Sequence, residues 1–292
     1  MNACTAFMGY SAGLYLHGGV SFSRDLVGGL FVFLIIFFLS GGAAILNNYQ
    51  DRHIDSQMKR TCRRPIPLGL VSDDRVQLLA LLQAVISLAG LAAVSTSLSA
   101  CVLAITAVLL YNGLYTPLKR KTLLAFIPGL LSGSLPPVIG WTAADAPVSI
   151  PVLCYFIAAS ILWQIPHYWL LLLSDRGDNA ERFLPTFYSY FTREKLAELT
   201  HIWIISYSCI ILLIPLFLFK IPYSLISFAT LLVIVTVYAV SLISISFYFL
   251  KKGRASTIRF AFLTFNVFSL LFFLFLSGYF YADTYLIQPR FS

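Results

Sequence analysis

Three oxygen-bearing side chains recur at intervals of four residues, where the first long apolar segment ends. Asn47, Asp51 and Asp55 advance by about 40° per step on a helix, so they share one face over roughly 12 Å. Asn47 is the deepest of the three, and an amide in hydrocarbon costs free energy unless it has a partner. Mg²⁺ prefers such oxygen ligands and usually shares them with substrate phosphate and water. The spacing therefore predicts a magnesium site.

Positively charged side chains follow this acidic ladder and recur in a second cluster. The first group consists of Arg52, Lys59, Arg60, Arg63 and Arg64. In the second cluster, Lys119 and Arg120 come shortly after Tyr115. Cations of this kind neutralise phosphate oxygens, so we expect Lys119 and Arg120 to bind a leaving diphosphate while Tyr115 lines the cavity wall. The alternative is that both segments are solvated charge clusters that only set the membrane topology.

A histidine lies within a later apolar window. His167 follows Pro166, and an ionisable side chain inside a membrane span is a functional candidate, although histidines in helices are usually structural. We expect His167 to ligate or hydrogen-bond a planar group. Asp175 and Asp178 then open a second long polar loop, as Asp51 and Asp55 open the first. The second loop either shares the cavity mouth or is a polar helix cap.

The composition excludes a soluble domain with an ordinary polar surface. Hydrophobic residues make up 59% of the 292 residues, charged residues 11%, and the mean hydropathy is +0.84. We predict an all-α, polytopic membrane helical bundle of about nine transmembrane helices. Apolar windows lie near residues 28–48, 78–95, 99–114, 123–141, 148–170, 199–219, 222–249 and 258–282, with a weaker ninth at 5–20.

The distribution of positive charge predicts the orientation. Most of the twenty lysine and arginine residues fall in four loops that alternate with nearly uncharged ones. These loops are 49–77, 115–122, 174–198 and 250–259. The positive-inside rule places the loops, including both acidic ones, on the cytoplasmic side, with nine helices and a cytoplasmic N-terminus. The net charge of +8 therefore reflects topology, and no nucleic-acid partner is expected.

The whole chain, 1–292, is predicted to be a single integral-membrane domain. No long linker or appended soluble segment interrupts it, and its start has neither a basic region nor a cleavage site. We therefore expect no signal or transit peptide, which favours a bacterial inner membrane. The five cysteines form no CxxC pair, so we expect them to be small buried hydrophobes.

Five motifs in order resemble the UbiA superfamily of intramembrane prenyltransferases. They are NNYxDRxID from Asn47 to Asp55, an Arg-rich run from Arg60 to Pro65, the basic segment from Tyr115 to Thr122, LPPxIGW from Leu135 to Trp141, and WxxPHxW from Trp163 to Trp169. The resemblance covers roughly residues 5 to 280. The combination of the last two motifs is most similar to the branch that makes heme O, the protoheme IX farnesyltransferases.

The resemblance implies a nine-helix bundle that transfers a farnesyl group from farnesyl diphosphate to a vinyl group of heme b, with Mg²⁺. It also implies a partner complex with a heme A synthase as a possibility. Asn47, Asp51 and Asp55 correspond to the metal-diphosphate motif, and Lys119 and Arg120 to diphosphate contacts. Further substrate-binding residues are implied at Arg52, Lys59, Arg60 and Tyr115.

The resemblance also implies residues on the acceptor side of the cavity and in a second acidic motif. His167 is similar to a family histidine at the heme side of the cavity. Relatives commonly have adjacent aspartates where this chain has Gly177 and Asp178. The resemblance implies Asp178 as a substrate and metal ligand, in a site that is weaker or is completed by Asp175.

Two alternatives to this function are open. A sister prenyltransferase acting on an aromatic acid or quinone precursor would share the acidic motif and the basic cluster, and only acceptor-side residues would distinguish it. An ion-coupled transporter would use Asp51 and Asp55 to bind the coupling ion. Against a transporter, these carboxylates lie at a cytoplasmic mouth rather than near the membrane midplane.

Overall fold

Helices form nearly all of the chain that the structure describes. This computed structural model describes residues 1–174, 185, 187, 190–218, 225–251 and 255–287. Within these ranges there are twelve α-helices and no strand, which confirms the all-α prediction. The helices are α1 (Asn2–His17), α2 (Phe22–Asp55), α3 (Asp73–Val94), α4 (Ser99–Val108), α5 (Thr116–Leu118), α6 (Phe126–Ser134), α7 (Pro136–Ala143), α8 (Ile150–Ser174), α9 (Arg193–Ile211), α10 (Ile214–Leu218), α11 (Leu225–Lys251) and α12 (Ala255–Ala282). A π-helical turn, Leu109–Tyr115, joins α4 to α5; a 3₁₀ turn, Leu123–Ala125, precedes α6; and a second π-helical turn, Asp283–Ile287, follows α12.

Eight helical segments in the described ranges are long and apolar enough to cross a membrane. Each of them coincides with one of the eight stronger apolar windows. The segments are Phe22–Asp55, Asp73–Val94, Ser99–Leu118, Leu123–Ala143, Ile150–Ser174, Arg193–Leu218, Ser227–Tyr248 and Thr257–Tyr285. The protein is therefore a multi-pass membrane protein.

The ninth predicted helix is α1, and it differs from the others in length and burial. Its 16 residues extend about 24 Å, which is less than the roughly 30 Å of a hydrocarbon core. Every residue from Ala3 to Tyr15 is buried, so α1 packs inside the bundle against α2, α7 and α12 rather than facing lipid. This burial on all sides explains why its sequence lacks an amphipathic pattern.

Two glycines allow α1 and α7 to approach until their backbones touch. A Cβ at Gly9 would lie 2.0 Å from the carbonyl oxygen of Pro137, and one at Gly140 would lie 1.9 Å from that of Ala6. Small residues at helix contacts permit this closeness in membrane proteins. Gly140 and Pro137 belong to the LPPxIGW motif, so part of that motif serves to pack α7 against α1.

Two features of the helices position the polar residues at one end of the bundle. With 34 residues, α2 extends about 51 Å, which is longer than the roughly 30 Å of a hydrocarbon core, and Asp51 and Asp55 lie in its last turns. The π-helical turn before α5 is fastened to α2, because the Asn112 side chain donates to the Ala43 carbonyl over 2.9 Å and Gln50 donates to the Asn112 carbonyl over 3.0 Å. π-helical turns often occur at functional sites.

Candidate functional site

The first carboxylate of the ladder, Asp51, lies between two cations that directly follow α5. The Lys119 ammonium contacts Oδ2, and a guanidinium nitrogen of Arg120 lies 3.0 Å from Oδ1. Asp51 is 8% exposed, so this ion pair is largely removed from water. The structure thus brings together the acidic ladder and the second basic cluster, as the sequence predicted.

The second carboxylate, Asp55, pairs with a member of the first basic group that was not among the predicted substrate-binding residues. An Arg64 guanidinium nitrogen lies 2.9 Å from Asp55 Oδ2 and 2.9 Å from the side-chain oxygen of Asn48. Asp55 is 6% exposed. The chain turns back after α2, where the Thr61 hydroxyl donates to the Asp55 carbonyl over 2.9 Å. This reversal, which residue spacing alone does not reveal, brings Arg64 to the ladder.

Three further cations predicted for the site, Arg52, Lys59 and Arg60, lie in the last turn of α2 and in the turn that follows it. Lys59 and Arg60 are exposed on the turn after α2. Arg52 lies over the ring of Tyr49, with 4.1 Å from its guanidinium carbon to the ring centroid, and 3.5 Å from an Asp73 carboxylate oxygen. None of these positions prevents contact with a bound substrate. Asp175 and Asp178 lie outside the described residues.

Asn47 has an oxygen available for a ligand. Its side-chain nitrogen donates to the Thr116 hydroxyl over 2.8 Å, and that hydroxyl donates to the Tyr111 carbonyl over 2.9 Å. Asn47, Asp51 and Asp55 therefore form the oxygen donor set expected for a hard divalent cation. In the described part of the chain, no group of three or more His, Cys, Asp and Glu side chains could enclose a metal. The donor set fits Mg²⁺ that shares substrate phosphate oxygens and fits poorly with a metal enclosed by protein.

An aromatic wall begins directly below the cations. The Lys119 ammonium lies 5.2 Å from the centroid of the Tyr115 ring, which stacks on Tyr111 with centroids 5.4 Å apart. A Cβ at Gly129 would lie 3.0 Å from the Tyr115 ring, so glycine there gives the tyrosine its space. The sequence predicted Tyr115 on the cavity wall, but in the described part of the chain it is Tyr111, one helical turn earlier, that lines the cavity, and Tyr115 stacks on it.

A mainly apolar cavity of about 400 Å³ continues from this wall into the bundle. It lies between α2, the π-helical turn, α6, α8 and α12. Residues that line it include Ile36, Leu39, Ala43, Tyr111, Gly129, Gly133, Trp163, Gln164, His167, Asn266 and Phe273. A cavity of this volume with a mainly apolar lining suits an apolar group.

His167 lines this cavity, as the sequence predicted for a functional histidine. Its Nδ1 lies 2.8 Å from the side-chain oxygen of Asn266, and its ring stacks on Trp163 with centroids 4.7 Å apart. The ring of Phe262, on α12, also contacts the imidazole, with the two ring centroids 5.3 Å apart. No local motif pointed to Asn266, because it lies far along the chain in an otherwise apolar helix.

Comparisons with known proteins agree with this arrangement. The profile of the UbiA prenyltransferase family matches residues 5–270. The protoheme IX farnesyltransferase of Nitratidesulfovibrio vulgaris (strain DP4) is 35% identical over 189 residues, which are 63% of this chain. The matched region spans 64% of the length of that relative.

Two solved structures share the architecture. The apo structure of a UbiA homolog from Aeropyrum pernix K1 has a TM-score of 0.71 at 16% identity and covers 97% of both chains. A UbiA homolog from Archaeoglobus fulgidus, bound to GPP and Mg²⁺, has a TM-score of 0.62 at 15% identity, over 96% of this chain and 95% of that one. These identities show the fold alone. Because the family profile covers most of its length, the chain belongs to the UbiA prenyltransferase family.

Proposed function

We propose that this protein transfers a farnesyl group from farnesyl diphosphate to a vinyl group of heme b, giving heme O. One observation carries the proposal: Asp51 is held by Lys119 and Arg120, Lys119 lies over the Tyr115 ring that stacks on Tyr111, and Tyr111 lines the same mainly apolar cavity as His167. This arrangement offers a charged end for the diphosphate, a dry space for the prenyl chain and a polar group beside the acceptor.

The charged end is suited to bind and stabilise the leaving diphosphate. Asn47, Asp51 and Asp55 would hold Mg²⁺, which when bound neutralises diphosphate charge. The support for this role is that Lys119, Arg120 and Arg64 lie against these carboxylates, beside the position proposed for the diphosphate. Preorganised cations stabilise developing negative charge without reorganising during the reaction.

The apolar cavity protects the allylic cation that forms as the C–O bond breaks. The rings of Tyr115 and Tyr111 lie between the cations and the cavity, and aromatic faces attract positive charge. Exclusion of water at this stage prevents the cation from being quenched to farnesol. The same walls therefore favour ionisation and preserve its product.

The acceptor is proposed to react beside His167. The vinyl electron pair attacks the farnesyl carbon as the diphosphate leaves, and the new cation next to the macrocycle then captures water and releases a proton. The support for heme b is the similarity to relatives named protoheme IX farnesyltransferase, together with an imidazole and an indole that line the cavity.

We further propose a bacterial inner membrane location with the charged end in the cytoplasm. The contact between Asp51 and Lys119 means that loops 49–77 and 115–122 share one side of the membrane. Both are rich in Lys and Arg, which favours the cytoplasmic side. A complex with a heme A synthase and a role for Asp175 and Asp178 in a second metal site stay predictions from the resemblance.

Titration with farnesyl diphosphate tests the charged end. We expect the detergent-purified protein to bind it in the presence of Mg²⁺ and to lose most of this binding with a chelator or in Asp51→Asn. Asp74→Asn is the matched control, because Asp74 is an exposed carboxylate in the first turn of α3. Binding that survives both the chelator and Asp51→Asn contradicts the proposed diphosphate site.

A further inference from the structure

We infer that Asn266 is a positioning residue that fixes the tautomer and orientation of His167, so that His167 presents its Nε2 lone pair to the iron of the acceptor. The inference rests on the proposed function, since a metalloporphyrin is the acceptor proposed there. It assigns a role to a polar residue of α12 that no sequence motif contains.

The Asn266 amide is held in one orientation by its own helix. Its side-chain nitrogen donates to the Phe262 carbonyl over 2.6 Å. Reversing the amide would place two oxygen acceptors against each other, which is unfavourable. The side-chain oxygen of Asn266 therefore faces His167.

This orientation determines which imidazole nitrogen carries the proton. The Asn266 oxygen lies 2.8 Å from Nδ1 and can only accept, so Nδ1 must donate. In a neutral imidazole the other nitrogen, Nε2, then has a free lone pair. His167 lines the cavity, and among the described residues only Asn266 hydrogen-bonds to its side chain.

The plane of the imidazole is fixed by aromatic neighbours as well. His167 stacks on Trp163, whose indole N–H donates to the Ser269 hydroxyl over 2.9 Å and whose ring stacks on Phe265 at 5.9 Å. Ser269 and Phe265 both belong to α12, like Asn266. Thus α12 holds both the ring plane and the tautomer of a histidine on α8.

Such an arrangement is the usual support for a metal-binding histidine. Histidines that ligate metals almost always donate their other ring N–H to an oxygen, and removing that oxygen typically lowers metal affinity about 10–100-fold. A purely structural histidine needs no free nitrogen directed to a cavity. The geometry therefore points to iron coordination by Nε2.

Heme binding to purified full-length protein tests the inference independently of farnesyl transfer. Ferric protoheme IX is titrated by absorption, and the iron–histidine stretching band of the ferrous complex is recorded by resonance Raman. We compare His167→Ala, Asn266→Leu, which has no acceptor, and Asn266→Asp, which as the neutral acid has a similar donor and acceptor. Thr264→Val is the control, because the Thr264 hydroxyl bonds only to the Phe260 carbonyl of its own helix.

We expect His167→Ala to lose the iron–histidine band, and Asn266→Leu to lower that band and weaken heme affinity about 10–100-fold. Asn266→Asp should restore most of both, and Thr264→Val should match the wild type. Farnesyl diphosphate binding should change less than heme binding in the His167 and Asn266 variants and should match the wild type in Thr264→Val. A wild-type spectrum in Asn266→Leu, or an unaltered band in His167→Ala, overturns the inference while leaving farnesyl transfer intact. Failure of the wild type to bind heme overturns the proposed acceptor and the inference with it.

Discussion

A double-mutant cycle on Lys119 and Asp51 separates their pairing from their part in the reaction. The side chains of Lys119 and Asp51 are 18% and 11% exposed, so the pair lies between a surface pair and a fully buried one. Exposed pairs contribute about 0.2–1 kcal/mol, and loss of one partner of a buried pair costs about 3–5 kcal/mol. Because Arg120 still neutralises Asp51 in Lys119→Met, we expect that variant to lose about 1 kcal/mol of stability.

Asp51→Asn leaves two neighbouring cations without their carboxylate, so its expected loss is about 1–2 kcal/mol. Each kcal/mol lowers the Tm of a chain of 150–250 residues by about 2–4 °C, so both single variants should melt a few degrees lower. The double variant removes both charges of the pair and should recover about 1 kcal/mol relative to the sum of the single effects.

Activity should not recover in parallel. Removing one group that stabilises developing charge costs about 10²–10³-fold in kcat, so Lys119→Met should fall by that factor and the double variant should remain inactive. Melting is followed by intrinsic fluorescence in detergent, and turnover by mass spectrometry of the product. Lys121→Met is the control, because Lys121 is an exposed lysine near the pair. It should change neither the melting temperature nor the turnover. A double variant no more stable than the sum of the single effects, or one with wild-type turnover, refutes the reasoning.

Three further predictions concern packing and the cavity. Gly140→Ala forces a Cβ against the Ala6 backbone and should destabilise the bundle by about 1–3 kcal/mol in thermal unfolding, whereas Gly278→Ala, with open space around it, should not. Gly133→Ala places a Cβ 2.1 Å from the Gln164 side-chain oxygen and displaces that side chain into the cavity, so KM for farnesyl diphosphate should rise about tenfold with melting little changed. His167→Ala should impair heme use more than diphosphate binding in paired titrations, and equal loss of both would argue for a structural role.

The parts of the fold and site that could be predicted follow regular local patterns. Apolar windows revealed the membrane spans because a bilayer demands long uncharged helices. The four-residue spacing from Asn47 to Asp55 identified the ladder because α2 continues to Asp55 without interruption. Lys119 and Arg120 could be paired with it because positive loops share one side of a membrane.

The parts that could not be predicted depend on irregular backbone or distant contacts. Arg64 reaches Asp55 because of a turn whose geometry is set by side-chain contacts such as that of Thr61. The π-helical turn that brings Tyr111 beside Tyr115 has no clear sequence signal. Asn266 meets His167 only because α12 packs on α8. A single sequence does not reveal how two distant helices align against each other.

The most direct test of the central claim is farnesyl transfer itself. Purified protein is incubated with heme b, farnesyl diphosphate and Mg²⁺, with a chelator or Asp51→Asn as negative controls, and the porphyrin products are analysed by mass spectrometry. We expect a product with the mass of heme b plus the farnesyl group and one hydroxyl. This product should be absent in both controls. Transfer to a hydroxybenzoate or naphthoate instead of heme, or no transfer to any acceptor, would contradict it.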